Sequence, residues 1–255
     1  MLTLQELVDL RDRSAASDAQ SLFQSREKTE NAERVQKYFE ASGFSRWAAI
    51  YGQGDIPPIW RVIRDGHDRA IDLVVDWVGT ADGDRTVLDA GCGTGNLATR
   101  LADSGHRVQG FDLSAPMVSF ARHITQGRIS RGPQPEFFVG DISALDGQGV
   151  SYDTVCCLDV LFHYPYEEVK DMLARLAALS RHKVVGSFAI RTTMNAFWME
   201  IGQRFFHKKN RMTKLHLLTY DQVEQIMYRS GFAIKRTERV TKFFYDSYVF
   251  EAVRR

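Results

Sequence analysis

The sequence predicts an α/β fold: seven strands in a mostly parallel sheet, an antiparallel last strand, helices on both faces and a helical arm ahead of the sheet. Three observations carry this expectation. From residue 86 onward, short apolar runs alternate with stretches of helical periodicity, which implies right-handed crossovers and a parallel sheet. The first run ends in a bare glycine loop, "LDAGCGTGNLA" at 88–98. The C-terminal stretch then sets two long strand-like segments in succession, which read as an antiparallel pair.

Each element has its own signal along the chain. "LTLQELVDL" (2–10) sets Leu4, Leu7 and Val8 on one helical face. Residues 14–33 are polar, small and weakly helical at best. "RVQKYFEASGFSRWAAIYG" (34–52) brings in Tyr38, Phe39, Phe44, Trp47, Ile50 and Tyr51, so residues 1–55 read as an arm folded against a main domain of 56–255. "DIPP" (55–58) is a break, and a helix is expected over about 63–78. Strand one spans 86–90 and its helix 96–104. Strand two, "RVQGFD" (107–112), leads to a helix capped by Ser114 with Pro116 in its first turn. Strands three, "EFFVGD" (136–141), and four, "YDTVCCLD" (152–159), come next. A helix over 166–180 carries Val169, Leu173, Leu176 and Ala177 on one side, and strand five is "KVVGSFAI" (183–190). A helix over 220–230 ends at Gly231, and strands six and seven span about 233–241 and 244–253.

The bulk composition narrows the function. The chain has 255 residues, 44% hydrophobic and 25% charged, the balance of a soluble globule. A net charge of +1 gives no global basic field, so no nucleic-acid partner is expected. The three cysteines, Cys92, Cys156 and Cys157, show no metal-ligand spacing, and the adjacent pair should point to opposite faces of a strand. No protein-bound metal is expected, and a reduced, cytoplasmic compartment is. No apolar stretch reaches membrane-helix length.

A bare loop after strand one implies a ligand close to the backbone, because glycine alone turns sharply without a Cβ in the way. The dinucleotide fingerprint GxGxxG would need glycine where Asn96 stands; the pattern is instead GxGxG, at Gly91, Gly93 and Gly95. Asp112 ends strand two about 20 residues on, where a carboxylate can accept from ribose hydroxyls. Asp141 with Ile142 follows strand three and Asp159 follows strand four. These acids all fall at the carboxyl ends of parallel strands, where open α/β sheets bind ligands.

"VLDAGCGTG", "GFDLS" and "GDI" resemble the motifs of the Rossmann-like class I S-adenosylmethionine-dependent methyltransferases, whose closing antiparallel hairpin is also matched. The resemblance implies that Asp89, Gly91 and Gly93 surround the methionine part of that methyl donor. It implies also that Asp112 holds the ribose, Leu113 and Met117 pack near the adenine, and Asp141 and Ile142 meet its edge; Asp159, by its place at the end of strand four, is expected in the same cofactor site. No Asn/Asp-Pro-Pro-Tyr or Pro-Cys stands after strand four, which removes the amino-methylating and cysteine-dependent nucleic-acid enzymes. The segment there is "CLDVLFHYP" (157–165), with His163 at the rim. That stretch and "YFEASGFSRWAAIYG" (38–52) resemble the magnesium protoporphyrin IX methyltransferases of chlorophyll and bacteriochlorophyll synthesis. The implied reaction esterifies one propionate carboxylate of the tetrapyrrole, and the magnesium belongs to the substrate.

A flat apolar macrocycle with two propionates needs an apolar cover and cationic partners, and residues 191–218 offer both. Met194, Phe197, Trp198, Ile201 and Phe205 form a stripe, with Arg191, Arg204, His207, Lys208, Lys209, Arg211, Lys214 and His216 around and beyond it. Arg191, Phe197, Trp198 and Arg204 are therefore expected in a substrate lid. A carboxylate has a pKa near ~4.3 and needs aiming rather than a strong base. His163 and Tyr38 are the candidates for that, whether by hydrogen bond, as a proton acceptor or, for His163, as a magnesium contact. Rival readings are a methyltransferase for another small apolar acid or phenol such as a quinone precursor, a non-catalytic tetrapyrrole carrier and, more remotely, a nicotinamide dehydrogenase. The family suggests handover from the magnesium chelatase and peripheral contact with the photosynthetic membrane, with residues 2–10 as the docking segment.

Overall fold

The computed structural model describes residues 29–52, 54–81, 85–142, 150–190, 215–243 and 245–255. The expected docking segment at 2–10 and lid residues Arg191, Phe197, Trp198 and Arg204 lie outside them.

Among the described residues two helices come first, α1 (Glu30–Glu40) and α2 (Ser42–Tyr51). The Thr29 side chain accepts from the Ala32 amide and starts α1 inside the stretch the sequence marks as weakly helical. Helix α3 (Pro58–Val78) begins five residues before the expected start. Pro58 stands in its first turn, where a missing N–H costs nothing and the fixed φ suits a helix, so "IPP" initiates rather than merely interrupts. Strand β1 (Thr86–Ala90), α4 (Asn96–Asp103), β2 (Arg107–Asp112) and α5 (Ala115–Thr125) come after it, α5 being capped by Ser114 as expected. Next are β3 (Glu136–Val139), β4 (Tyr152–Cys157), a 3-10 turn (Leu161–His163), α6 (Tyr166–Leu179) and β5 (Ser180–Phe188). A Thr219–Gln222 capping box opens α7 (Tyr220–Arg229), and β6 (Phe232–Lys242) and β7 (Tyr245–Arg254) end the chain. Strands β3 and β4 stop two residues earlier than expected, which leaves Asp141 and Asp159 in the turns beyond them.

The seven strands lie in the order β3-β2-β1-β4-β5-β7-β6. The first five are parallel, β7 is antiparallel to β5, and β6 is antiparallel to β7. Strand β6 is the rim, and Lys235, Arg236, Glu238, Arg239 and Lys242 along it are exposed. The order reverses between β1 and β4, and the crevice of an open α/β sheet forms at that reversal.

Alternation along each strand builds two cores. Leu88, Cys157, Phe188 and Phe250 pack with α6 and α7 on one face. Val87, Cys156, Val185 and Val249 pack with α3 and α4 on the other. Cys156 and Cys157 thus face opposite ways, as expected, and all three cysteines are free and buried. The fully buried Glu251 on β7 is held by Lys183 and Arg236, each at 2.7 Å, so its charge is compensated rather than orphaned. No described helix is long and apolar enough to cross a membrane.

Candidate active site

The glycine loop leaves β1 at Gly91, which has φ 78°, and a Cβ there would stand 2.3 Å from a Val160 methyl carbon. Both the backbone sign and the space exclude any other residue. The Gly91 and Cys92 amides donate to the Phe111 carbonyl at 2.8 and 2.9 Å, pinning the loop to the end of β2. Gly93 also has positive φ, but a Cβ there would meet open space, so the loop presents bare backbone to a cavity.

Two carboxylates face that loop. Asp112 accepts the Gly93 amide at 3.0 Å on one oxygen and the Ser114 amide at 2.8 Å on the other, bridging the loop to the start of α5. Burial pushes its pKa up to about 6, with those two amides pulling it back. Asp89 is 2% exposed, and its Oδ2 has no hydrogen-bond partner among the described residues. Burial, then the charge of Asp112, pushes Asp89 up to about 7; the Ala98 amide and His67 oppose this. An acid so placed is poised to receive a cation.

Asp159 is held differently. With φ 56° it turns the chain away from β4, and its carboxylate takes the His67 ring nitrogen Nδ1 at 2.7 Å, the Tyr245 hydroxyl at 2.8 Å and the Ser187 hydroxyl at 2.9 Å. Burial alone would raise its pKa, but these partners, His67 first, hold it below the usual range. Asp159 therefore lines the cavity with its charge already engaged by the protein. The His67 ring in turn lies 5.2 Å from Trp47 and 6.0 Å from Tyr51 of α2.

The arm helices form the outer wall. The Ser114 hydroxyl donates to the Phe39 carbonyl at 3.1 Å, and Thr29 and Asn31 donate to Glu168 of α6 at 2.9 and 2.6 Å. Arg46 donates to the Tyr38 hydroxyl oxygen at 3.0 Å. Burial raises the Tyr38 pKa, opposed by Arg46, so the phenol stays neutral. The Phe39 ring stands edge-on to His163 at 5.2 Å. His163, in the 3-10 turn, is buried; that burial pushes its pKa down to about 4, with His216 adding and Asp159 opposing. Its imidazole is neutral at physiological pH.

One cavity collects these groups. Tyr38, Asp89, Gly91, Gly93, Asp112, Leu113, Met117, Asp141, Ile142, Asp159 and His163 all line it. The structure adds Arg46, Trp47, Ile63, His67 and Tyr245, which the sequence did not mark as site residues. His67 stands in mid-helix with its aspartate 92 residues away, and Tyr245 sits at the start of the last strand, so no local pattern marks either. Arg46 and Trp47 lie within the 38–52 stretch, where adjacency to Tyr38 was the available signal.

Comparison with known proteins bears on the same residues. A family model described as the C-terminus of magnesium-protoporphyrin IX methyltransferase matches residues 157–254, and a general methyltransferase-domain model matches 87–183. The magnesium-protoporphyrin O-methyltransferase of Synechocystis sp. is 39% identical over 86% of this chain and 95% of its own length. The chloroplastic magnesium protoporphyrin IX methyltransferase of Arabidopsis thaliana is 36% identical over 87% of this chain and 70% of its own. The crystal structure of the Synechocystis enzyme with bound S-adenosylhomocysteine superposes with a TM-score of 0.76 at 38% identity, covering 88% of this chain and 99% of that one.

Proposed function

The chain belongs to the magnesium-protoporphyrin O-methyltransferase family, and from that premise we propose that it transfers a methyl group from S-adenosylmethionine to a propionate carboxylate of magnesium protoporphyrin IX. The product is the monomethyl ester of (bacterio)chlorophyll synthesis. The observation that carries this reading is the cavity itself: a bare glycine loop and an orphaned carboxylate oxygen at its floor, the arm and His163 at its mouth.

The residues present fit the donor. The unpartnered Asp89 Oδ2 suits a cationic methionine moiety, and Asp112 keeps acceptor capacity for ribose hydroxyls beside the amides it already holds. The open face of Gly93 leaves room for close approach, while Leu113, Met117 and Ile142 supply apolar walls and Asp141 a polar edge. When bound, S-adenosylmethionine supplies a sulfonium-activated methyl, which passes to a carboxylate oxygen as the sulfur keeps the electron pair of the broken bond.

The chain's own work is to dry, hold and aim the acceptor. Phe39, Trp47 and Phe162 give the mouth an apolar lining, which excludes water from an ion that is already charged at neutral pH. Tyr38 and neutral His163 orient it, and Asp159 fixes His67 behind Trp47. The arm acts as a gate. Contact with the chelatase that makes the substrate, and of residues 2–10 with a membrane surface, belong to the same proposal.

Incubation with S-adenosylmethionine and magnesium protoporphyrin IX, followed by mass spectrometry, is expected to show one added methyl. Methylation of a quinone precursor with none on the tetrapyrrole overturns the reading in favour of its rival, and tetrapyrrole binding without any product leaves a carrier.

A further inference from the structure

We propose that Arg46, acting with Tyr38, is the group that recognises the substrate's carboxylate and sets a preference for the free acid over its ester; this rests on the carboxyl-methylating reading above. Arg46 is half-buried on α2 and lines the cavity. Among the described residues no carboxylate pairs with it, whereas Arg61 and Arg69 of α3 are paired with Asp55 and Glu238. A guanidinium has five N–H donors in a planar fork that matches a carboxylate. One of them is spent on the Tyr38 oxygen, which leaves the rest of the fork available.

The shared hydrogen bond does more than tie two side chains together. Because the Tyr38 oxygen accepts from Arg46, its own O–H proton is left for a different acceptor. A neutral phenol and an always-charged guanidinium thus offer adjacent donors on the arm. The surrounding wall of Trp47, Phe39, Ile63 and Phe162 lowers the local dielectric and strengthens a charge-assisted bond there. The acids of the cavity and His67 cannot do this. Asp89, Asp112 and Asp141 offer an anion no cationic donor, and the His67 ring is already engaged by Asp159. Once the carboxylate becomes an ester it loses its charge, so the same grip weakens on product.

The test compares binding of magnesium protoporphyrin IX and of its dimethyl ester, followed by tetrapyrrole fluorescence, to the wild-type enzyme and to Arg46→Met. Wild type should prefer the diacid, and Arg46→Met should weaken diacid binding roughly 10–100-fold, leave the diester unchanged and so erase the preference. Affinity for S-adenosylhomocysteine should stay as in wild type. Equal weakening of acid and ester, or no weakening of either, overturns the proposal, since a merely structural role predicts one or the other. If Arg46→Met does not fold, Arg46→Gln keeps a donor for the Tyr38 oxygen, drops the charge and decides by the same criterion. A wild-type enzyme that forms the methyl ester but binds acid and diester alike also overturns the assignment to Arg46. A wild-type enzyme that forms no ester overturns the underlying reading instead.

Discussion

Asp89 carries a cost that a single substitution can expose. A carboxylate raised from its usual 3.8 to about 7 in the folded protein binds protons better folded than unfolded. Its contribution is therefore favourable below about pH 4 and is lost as pH rises through 7. At ~1.4 kcal/mol per decade the buried charge then costs at most about 4 kcal/mol. Asp89→Asn should be about 2–4 kcal/mol more stable than wild type at pH 8 in the ligand-free state, show no advantage at pH 4, and bind the methyl donor poorly. Urea denaturation at both pH values checks this, and a stability difference that ignores pH refutes it. His163 differs in sign and role. Pushed down to about 4, it cannot gather a proton efficiently near neutrality. His163→Ala should lower kcat by roughly 10²-fold through lost positioning, while wild-type kcat stays free of a His163 limb between about pH 6 and 8. A limb near pH 6.5 that disappears in the variant would instead make it a proton acceptor.

Helix α1 buries Ala32 and Val35 in the core and is fixed at its ends by a few polar contacts. Thr29 and Asn31 share Glu168, and the Phe39 carbonyl takes the Ser114 hydroxyl. Glu168→Ala removes both contacts at the N-terminal end of α1 and leaves the helix otherwise intact. Faster amide exchange confined to 30–40, with the melting temperature nearly unchanged, is the expected result; faster exchange throughout α6 would mean that Glu168 supports its own helix instead. The sequence located the strands and most helices because apolar runs stop at Asp89, Asp112 and the turns before Asp141 and Asp159. It placed the start of α3 late, reading Pro57 and Pro58 as an interruption when the second of them stands in the first turn. It named Tyr38 and His163 as candidates for orienting the carboxylate, with Tyr38 reaching the site only if the arm closes, and the contact that brings the arm to His163, the Phe39 ring, depends on how α1 packs. The His67–Asp159 pair was out of reach for the same reason: it exists only once α3 lies over the end of β4.

At the scale of the whole molecule, the strand order gathers residues from Tyr38 to Tyr245 at one edge of the sheet. Ligand binding should therefore brace the arm, the parallel strands and the last hairpin together. S-adenosylhomocysteine at a hundred times its Kd should add about 2.7 kcal/mol of stability, or roughly 5–10 °C in Tm for a domain of this size. With the ligand concentration held at its pH 8 value, the gain should be smaller at pH 6, because Asp89 must release a proton to meet the cation. Differential scanning calorimetry at the two pH values decides it. A lateral edge of the sheet has its own significance. The outermost strand, β6, spans eleven residues and has no further strand beside it among the described residues, a ready template for stacking one molecule on another. Lysine and arginine side chains studding that strand make cross-β polymerisation costly, so the enzyme can accumulate in a crowded compartment without condensing into fibrils.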